Sequence, residues 1–348
     1  MTRFVAPLRL CLDSGALVNN WRWLQRRSGT AACGAAIKAN GYGTGAAEVM
    51  HRLLDAGCRD FFVSNWAEAE TLQHLLQDGV NLSVFHGVRT EDMGRALASK
   101  ARPVLCTPDQ IARWKSAGGG YCDVMVDTGM NRLGLDWRSD VAAQMQGLSV
   151  ATFLSHLASG DEDTGLSAQQ LERFSALRKD VPAGRYSLAN SAGICLGQAY
   201  AFDLTRPGLA LYGGIPRPEA EGGIAQVVFP QAQVLQRRLV LAGDSIGYNA
   251  THFAMADMQI AVLNLGYADG YLRCFSGSGI VTAGETRLPI VGRVSMDLIA
   301  VDVSAMPSVK EGDWLDIDYG LPATSTLSGL SQYELLTGLG PRFDRVWR

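Results

Sequence analysis

Up to about residue 215, this chain of 348 residues repeats one pattern, in which a short apolar run precedes an amphipathic helical segment. Trp66 begins such a segment, WAEAETLQHLLQDG, where apolar residues recur at helical spacing. Alternation of this kind favours a parallel sheet covered by helices, and eight repeats favour a closed, TIM-like (β/α)8 barrel. The eight predicted strands are Ala31–Ile37, Asp60–Ser64, Leu82–His86, Pro103–Cys106, Cys122–Asp127, Val150–His156, Arg185–Ala189 and Leu204–Leu211.

An open, doubly wound sheet is the alternative for the same pattern. Such a sheet would favour a glycine-rich phosphate-binding fingerprint directly after its first strand. Here the G-x-G of the first loop follows a lysine instead. The α/β barrel is therefore the preferred fold for this half of the chain.

The pattern changes after the segment IPRPEAEGG, which ends at Gly223 and is typical of a linker. Beyond it, short apolar or alternating runs are separated by glycine and aspartate turns, which predicts a mostly antiparallel β domain. We expect a barrel over residues 1–222, to which the chain end contributes, and a C-terminal β domain over 223–348. The predicted strands are Val227–Leu241, Met258–Leu265, Gly279–Thr282, Leu288–Val291, Leu298–Val303 and Trp314–Ile317.

Composition narrows the class of protein. The chain is 47% hydrophobic and 19% charged, with a formal charge of −3, so neither disorder nor a nucleic-acid partner is expected. No apolar run approaches the ~18 residues of a membrane span, and no signal peptide is evident at the start. Seven widely spaced cysteines without a C-x-x-C pair favour free thiols over disulfides or a zinc site. We expect a cytoplasmic protein with no metal and no membrane partner.

Lys38 ends the first predicted strand, and a glycine-rich turn containing Tyr42 follows it. Side chains at the carboxyl end of a barrel strand point to the face where barrel enzymes carry out chemistry. A lysine held there can lose its proton and form a Schiff base with an aldehyde. Alone, the segment is equally compatible with a surface lysine.

Other polar residues follow the carboxyl ends of later strands and would share that face. Taken singly, His156 would be a satisfied core histidine, Ser191 a helix N-cap and Arg206 an ion-pair donor. Together they indicate a site, and the region of Ser191 and Gly208 would suit a phosphate. The set is Lys38, Arg132, His156, Asn190, Ser191, Arg206 and Gly208.

Nine motifs in matching order and spacing resemble those of the alanine racemases, a family of pyridoxal 5′-phosphate (PLP) enzymes. They cover nearly the whole chain: IKANGYGTG, DTGMNRLG, SHLASGDED, ANSAG, RPGLALYGG, IGYNATH, LGYADGY, VGRVSMD and SQYE. The resemblance implies interconversion of L-alanine and D-alanine, with D-alanine supplied for peptidoglycan. It further implies that Lys38 holds PLP and is one catalytic base, and that Tyr248 is the second. In the family this tyrosine reaches the partner's barrel, which implies a homodimer with shared active sites.

The resemblance also assigns the remaining site residues. Arg206 would face the pyridine nitrogen, and His156 would pack on the ring and link Arg206 to Tyr248. Arg132 and Met296 would bind the substrate carboxylate. The entrance corridor would contain Asp161, Tyr267, Arg273 and Arg293. The implied cofactor-binding residues are Lys38, Tyr42, His156, Asn190, Ser191, Arg206, Gly208, Leu209 and Tyr333.

One position departs from the family pattern. Many members carry a carbamylated lysine seven residues before the arginine of DTGMNRLG, and this chain has Met125 there. Methionine cannot be carbamylated, so we hypothesise that a bound chloride near Arg132, aided by Asn131, supplies the missing negative charge.

Several alternatives stay open at this point. A racemase of broader or different specificity, for example for serine, is the nearest, because one methylene or hydroxyl changes discrimination by only ~1–3 kcal/mol. A decarboxylase of related architecture is disfavoured by RPGLALYGG and Tyr248. A non-catalytic PLP-binding protein would typically lack the second domain. A structural protein would leave the nine motifs without a purpose.

Overall fold

The computed structural model describes residues 5–348, which form two compact units. One unit contains Gly15–Ala225. The other contains Gln226–Arg348 together with the segment that ends at Ser14.

The first unit is the predicted barrel. Neighbouring strands from the first to the seventh pair in parallel. The eighth strand pairs with the first, Leu204 opposite Ala32, and bonds to the seventh through Asp203 N–H and Tyr186 O at 3.0 Å. Hydrogen bonds therefore run round the whole barrel, and the predicted (β/α)8 fold is confirmed. The strands are Ala32–Cys33 with Ala35–Ala36, Asp60–Val63, Asn81–Val84, Arg102–Leu105, Cys122–Asp127, Val150–Leu154, Arg185–Ser187 and Leu204–Thr205.

The helices of this unit begin where side chains satisfy their free N–H groups. Asn65 accepts from Glu68 N–H, and Thr107 accepts from Gln110 N–H just before a proline at the first helical position. Buried Val49, Met50 and Leu53 form one face of their helix. The α-helices are Ser14–Arg27, Ala46–Ala56, Trp66–Leu72, Met93–Ala98, Pro108–Ser116, Val141–Met145, Leu166–Asp180 and Ser191–Cys195.

The eighth strand is shorter than expected. It ends at Thr205, and a 3₁₀ helix, Leu209–Tyr212, occupies the rest of the predicted run. Pro207 has no N–H to donate to a neighbouring strand, which helps to explain why regular pairing stops there.

The second unit is mostly antiparallel, as expected. Its longest strand, Val228–Val240, pairs with three others and has an irregularity between Val234 and Gln236. Leu8–Leu12, the first strand of the chain, belongs to this sheet, with Leu8 opposite Ala232. The other strands of the sheet are Met258–Leu263, Ile280–Ala283, Thr286–Val291, Ile299–Asp302, Trp314–Ile317 and Asp344–Trp347, the last of them parallel to Leu8–Leu12.

Two further features complete this unit. A small hairpin pairs Ser245–Ile246 with His252–Phe253, and two helices, Leu321–Ser328 and Gln332–Thr337, lie near the chain end. Over residues 5–348, none of the helices has the length and apolar character needed to cross a bilayer.

Candidate active site

Lys38 begins an unusual turn at the carboxyl end of the first barrel strand. The next three residues, Ala39, Asn40 and Gly41, and then Tyr42 all have φ between 52° and 64°, the left-handed region. Such a conformation costs roughly 1–2 kcal/mol for each residue that is not glycine. Strain of this kind is typical of functional sites, where surrounding contacts hold it in place.

Those contacts are specific. The Asn40 side chain accepts a hydrogen bond from Ala46 N–H at 3.0 Å. The Tyr42 ring stacks on the buried Tyr212 ring, with centroids 4.6 Å apart, and Tyr212 donates to Ala36 O at 3.0 Å. The Lys38 amine lies 6.0 Å from the centre of the Phe85 ring. The turn is thus fixed at both ends.

Basic groups act on Lys38 and on His156 at this end of the barrel. Burial and then Arg132 lower the pKa of Lys38, while Glu68 opposes the shift. Burial, Arg206, Arg132 and Lys38, in that order, lower the pKa of His156 to about 3. The structure therefore brings Lys38, Arg132, His156 and Arg206 into one neighbourhood, and His156 is neutral at ordinary pH.

Arg206 is the most deeply buried of the four, with 3% of its surface exposed. Its guanidinium donates to Ser155 O at 2.5 Å and to the Ser187 hydroxyl. Burial lowers the Arg206 pKa to about 10, opposed by Asp123. Arg206 remains a cation at neutral pH, able to donate hydrogen bonds but poorly suited to giving up a proton.

A polar cradle lies between the seventh and eighth strands. The buried Ser191 hydroxyl accepts hydrogen bonds from Gly208 N–H at 2.9 Å and from Ala210 N–H at 3.2 Å. A Cβ on Gly208 would overlap the Tyr42 hydroxyl, so only glycine fits there. Two hydroxyls and two backbone N–H groups thus converge in a small buried space. This donor set fits the phosphate of PLP.

Two other predicted cofactor residues border this cradle. Leu209 is buried and begins the 3₁₀ helix after Gly208. Asn190 caps the helix Ser191–Cys195, accepting from Gly193 N–H at 2.9 Å. The N-cap is therefore Asn190, whereas the sequence alone suggested Ser191 for that place. The role of Asn190 toward a cofactor stays a prediction.

Arg132 lies on an exposed loop built around Asp127. Burial would raise the pKa of Asp127, but backbone N–H groups that donate to its carboxylate outweigh burial and lower the pKa. These N–H groups belong to Gly129, Arg132, Asn131 and Met130. Asn131 has a φ of 58°, which asparagine tolerates better than most residues. The loop is held by the Asp127 carboxylate, which leaves the Arg132 side chain available.

Met125 is buried in an apolar cluster with Val104, Cys106 and Leu154, against which Phe85 packs. No member of this cluster is a carboxylate. The position that carries a modified lysine in many family members is thus part of the barrel core here.

Asp161 lies exposed on the loop after the sixth strand. That loop is held by the buried Arg217, which donates to Gly160 O at 3.3 Å and to the Asp163 carboxylate at 2.6 Å. The base of the loop that carries Asp161 is therefore held by Arg217.

In the second unit, Tyr248 lies at the tip of the small hairpin. Gly247, Asn249 and Ala250 around it have φ of 78°, 62° and 48°, and the side chain of Tyr248 is 65% exposed. Tyr248 and Arg293 line the same cavity of about 640 Å³, which is contained within this unit. The structure therefore places these two predicted site residues together.

Three more predicted residues form a second group in this unit. Tyr267 has the Arg273 guanidinium 5.3 Å from its ring centre, and Met296 O accepts from Ala268 N–H at 3.0 Å. Arg342 joins the two segments, donating to Asp269 at 2.6 Å and to Asp297 at 2.7 Å. Tyr333 lies apart on the helix Gln332–Thr337 and is 43% exposed.

Sequence reasoning missed the residues that support the site. Ser155 and Ser187, which bind Arg206, and Glu68, which affects Lys38, were not predicted. A signal for Glu68 exists, because Asn65 and Glu68 have the spacing of a helix capping box directly after a strand. The serines carry no comparable signal.

Comparison with known proteins gives a consistent result. The family profiles for the N-terminal and C-terminal domains of alanine racemase match residues 12–216 and 227–347. An alanine racemase from Methylobacterium nodulans is 41% identical, over 97% of this chain and 95% of the relative, and a biosynthetic one from Agrobacterium fabrum is 35% identical, over 98% and 94%. The crystal structure of a Bartonella henselae alanine racemase with covalently bound pyridoxal phosphate superposes with a TM-score of 0.90 at 33% identity, over 99% of this chain and all of that one.

Proposed function

The chain belongs to the alanine racemase family and interconverts L-alanine and D-alanine with PLP, and we propose that Lys38 and Tyr248 are its two catalytic bases. Racemisation requires that the proton on the substrate Cα leave from one face and return to the other. Two bases on opposite faces achieve this. A lysine and a tyrosine form such a pair.

PLP, when bound, supplies an electron sink that makes the substrate Cα–H acidic. Lys38 would hold the cofactor covalently. The cradle of Ser191, Gly208 and Tyr42, completed by Leu209 and Tyr333, would bind its phosphate. His156, Asn190 and Arg206 would contact or support the remainder.

Lys38 acts as a base only when its amine is neutral. Burial and the neighbouring Arg132 favour that form, since both lower the Lys38 pKa. This depressed pKa, beside His156 and Arg206, is the observation that carries the proposal.

Arg206 would face the pyridine nitrogen. Because it stays charged, it offers an N–H hydrogen bond there without transferring a proton. A ring nitrogen that is not protonated draws electrons less strongly, which favours racemisation over transamination.

Arg132 and Met296 would hold the substrate carboxylate, and Asp161, Tyr267, Arg273 and Arg293 would form the entrance corridor. We also propose that a chloride steadies Arg132, with Asn131 as a further donor. The burial of Met125 in an apolar cluster supports this, because no charge can come from that position. The racemisation rate should rise when chloride replaces a bulky anion at constant ionic strength, and an anion-independent rate would reject this part.

The active unit would be a homodimer in which Tyr248 of one subunit serves the barrel of the other. The exposure of Tyr248, and of the apolar residues Leu239, Phe253 and Met255, supports a face that a partner covers. We propose the cytoplasm as its compartment, with peptidoglycan precursors as the use of D-alanine. All seven cysteines are free, which suits a reducing environment.

The direct test measures D-alanine formation from L-alanine by the purified protein with PLP, beside L-serine, L-lysine and L-glutamate. The proposal predicts fast turnover of alanine and at most slow turnover of the others. Comparable turnover of L-serine would instead indicate an amino-acid racemase of broader specificity. Full activity in Lys38→Ala would reject the assignment of the bases.

A further inference from the structure

Glu68 connects the carboxyl ends of the first two barrel strands, the first of which leads into Lys38. It lies in the first turn of the helix Trp66–Leu72, directly after the second strand. One carboxylate oxygen accepts from Ser64 N–H at 2.7 Å, at the end of that strand, and the other accepts from Ala39 N–H at 2.8 Å. Its own N–H donates to the Asn65 side chain at 3.0 Å.

The second of these bonds reaches beyond helix capping. A capping glutamate needs to bind only the N–H groups of its own helix start. Here the other oxygen crosses to the residue that follows Lys38, the first of the left-handed turn. Ala39 has φ 52° and ψ 46°, a conformation that the chain adopts only when contacts hold it.

Glu68 also differs in charge from the other groups around the Lys38 amine. Arg132 lies on the loop after the fifth strand, and His156 and Arg206 follow the sixth and eighth strands. Burial and Arg132 disfavour the protonated form of Lys38, and Glu68 favours it. Glu68 therefore opposes the lowering of the Lys38 pKa by burial and by Arg132.

We propose that Glu68 is a positioning residue for racemisation, whose carboxylate fixes the left-handed turn that presents the Lys38 amine and balances the positive charges around it. The inference rests on the proposed role of Lys38. It predicts an effect of Glu68 on the geometry of Ala39 and on the protonation of Lys38, beyond any effect on stability.

The test compares Glu68→Gln and Glu68→Ala with Glu70→Gln. Glu70 lies on the same helix, exposed and 3.4 Å from Arg95, so its variant is a matched control. In the full chain freed of PLP, the pH dependence of Lys38 acetylation is followed by mass spectrometry, and amide exchange is followed at Ala39. In the enzyme loaded with PLP, kcat and KM for L-alanine are measured.

Glu68→Gln should move the midpoint of Lys38 labelling to lower pH and speed exchange at Ala39 at least about tenfold. Its kcat should fall about tenfold with KM for L-alanine nearly unchanged, and Glu68→Ala should lose more. Glu70→Gln should match the wild type in every measurement. If Glu68→Ala does not fold, Glu68→Gln still decides the question.

A role as helix cap alone would lower the melting temperature of Glu68→Gln, but leave Lys38 labelling and Ala39 exchange as in Glu70→Gln. That result would overturn the proposal. Failure of the proposed function is seen separately, as racemisation that persists in Lys38→Ala, because the labelling and exchange measurements do not depend on turnover.

Discussion

The two units differ in how deeply most of their predicted site residues are buried. In the barrel, Arg206 and Ser191 are 3% and 1% exposed and have hydrogen-bond partners within the unit. In the β unit, Tyr248 and Met296 are 65% and 53% exposed. Arg206 and Ser191 are thus fixed before any ligand arrives, whereas Tyr248 and Met296, like Arg132 and Asp161 of the barrel unit, lie on a surface.

The difference has a physical cause. A buried polar group must be bonded or it destabilises the fold, and burial shifts its pKa. Burial therefore shifts the pKa values of His156 and Arg206 within the barrel unit itself. An exposed side chain such as Tyr248 lacks buried surroundings of this kind, which is why we propose that a partner subunit covers it.

The largest expected effect comes from substituting Lys38, the base that we propose in the barrel. Lys38→Ala should lower the rate of D-alanine formation by at least about 10⁴-fold, because a covalent anchor and a base are lost together. Lys100→Ala, which alters a lysine on another part of the barrel, should keep the wild-type rate. A loss of activity below about tenfold would mean that Lys38 is not a catalytic base, and the contrast between the units would then fail.

Substituting Tyr248, the exposed base that we propose, should reduce activity less. Tyr248→Phe should lower kcat by about 10³-fold, while leaving PLP affinity unchanged, because PLP would be bound chiefly through the barrel. Tyr121→Phe is the control, since Tyr121 is 69% exposed and lies in the barrel unit. If both variants keep full activity, Tyr248 is only a surface residue.

The third prediction, with a smaller effect, concerns PLP binding by the polar cradle. Gly208→Ala should weaken PLP binding by about 10–100-fold, because the new Cβ overlaps the Tyr42 hydroxyl. Gly165→Ala should bind PLP normally, since its Cβ would enter open space at an ordinary φ of −66°. Titration of both variants with PLP separates these outcomes, and equal affinities would show that the cradle does not bind the phosphate.

The smallest effect concerns stability and pH. The pKa of His156 is about 3 in the folded chain, and an unfolded histidine titrates near ~6.5. Because the unfolded chain binds this proton first, the contribution is complete above pH ~6.5 and is lost as pH falls toward 3. His156→Gln should flatten this part of the stability profile relative to His51→Gln, an exposed histidine. Parallel profiles would mean that His156 is not held neutral.

The alternation of strands and helices in the barrel could be predicted from sequence because it depends on local periodicity. The eight strands and the lysine at the first strand end follow from apolar runs and their boundaries. The C-terminal strands follow from turn residues between alternating runs. Such patterns extend over only a few residues, so they can be recognised in a single sequence.

What could not be predicted depends on distant partners. Leu8–Leu12 pairs with Val228–Val240, and nothing near either segment indicates this. Ala39 and Tyr42 adopt left-handed conformations that only their contacts maintain, although Gly41 between them gave a hint. Ser155 and Ser187 accept hydrogen bonds from Arg206 only because the barrel closes.

The central claim is that the barrel of one subunit and Tyr248 of another form one active site. The most direct measurement co-expresses Lys38→Ala with Tyr248→Phe and assays D-alanine formation by the purified mixture. Random pairing should make half of the dimers mixed, each with one site that has both bases, so the mixture should recover about a quarter of the wild-type rate. A mixture no more active than the two variants measured separately would contradict the shared site.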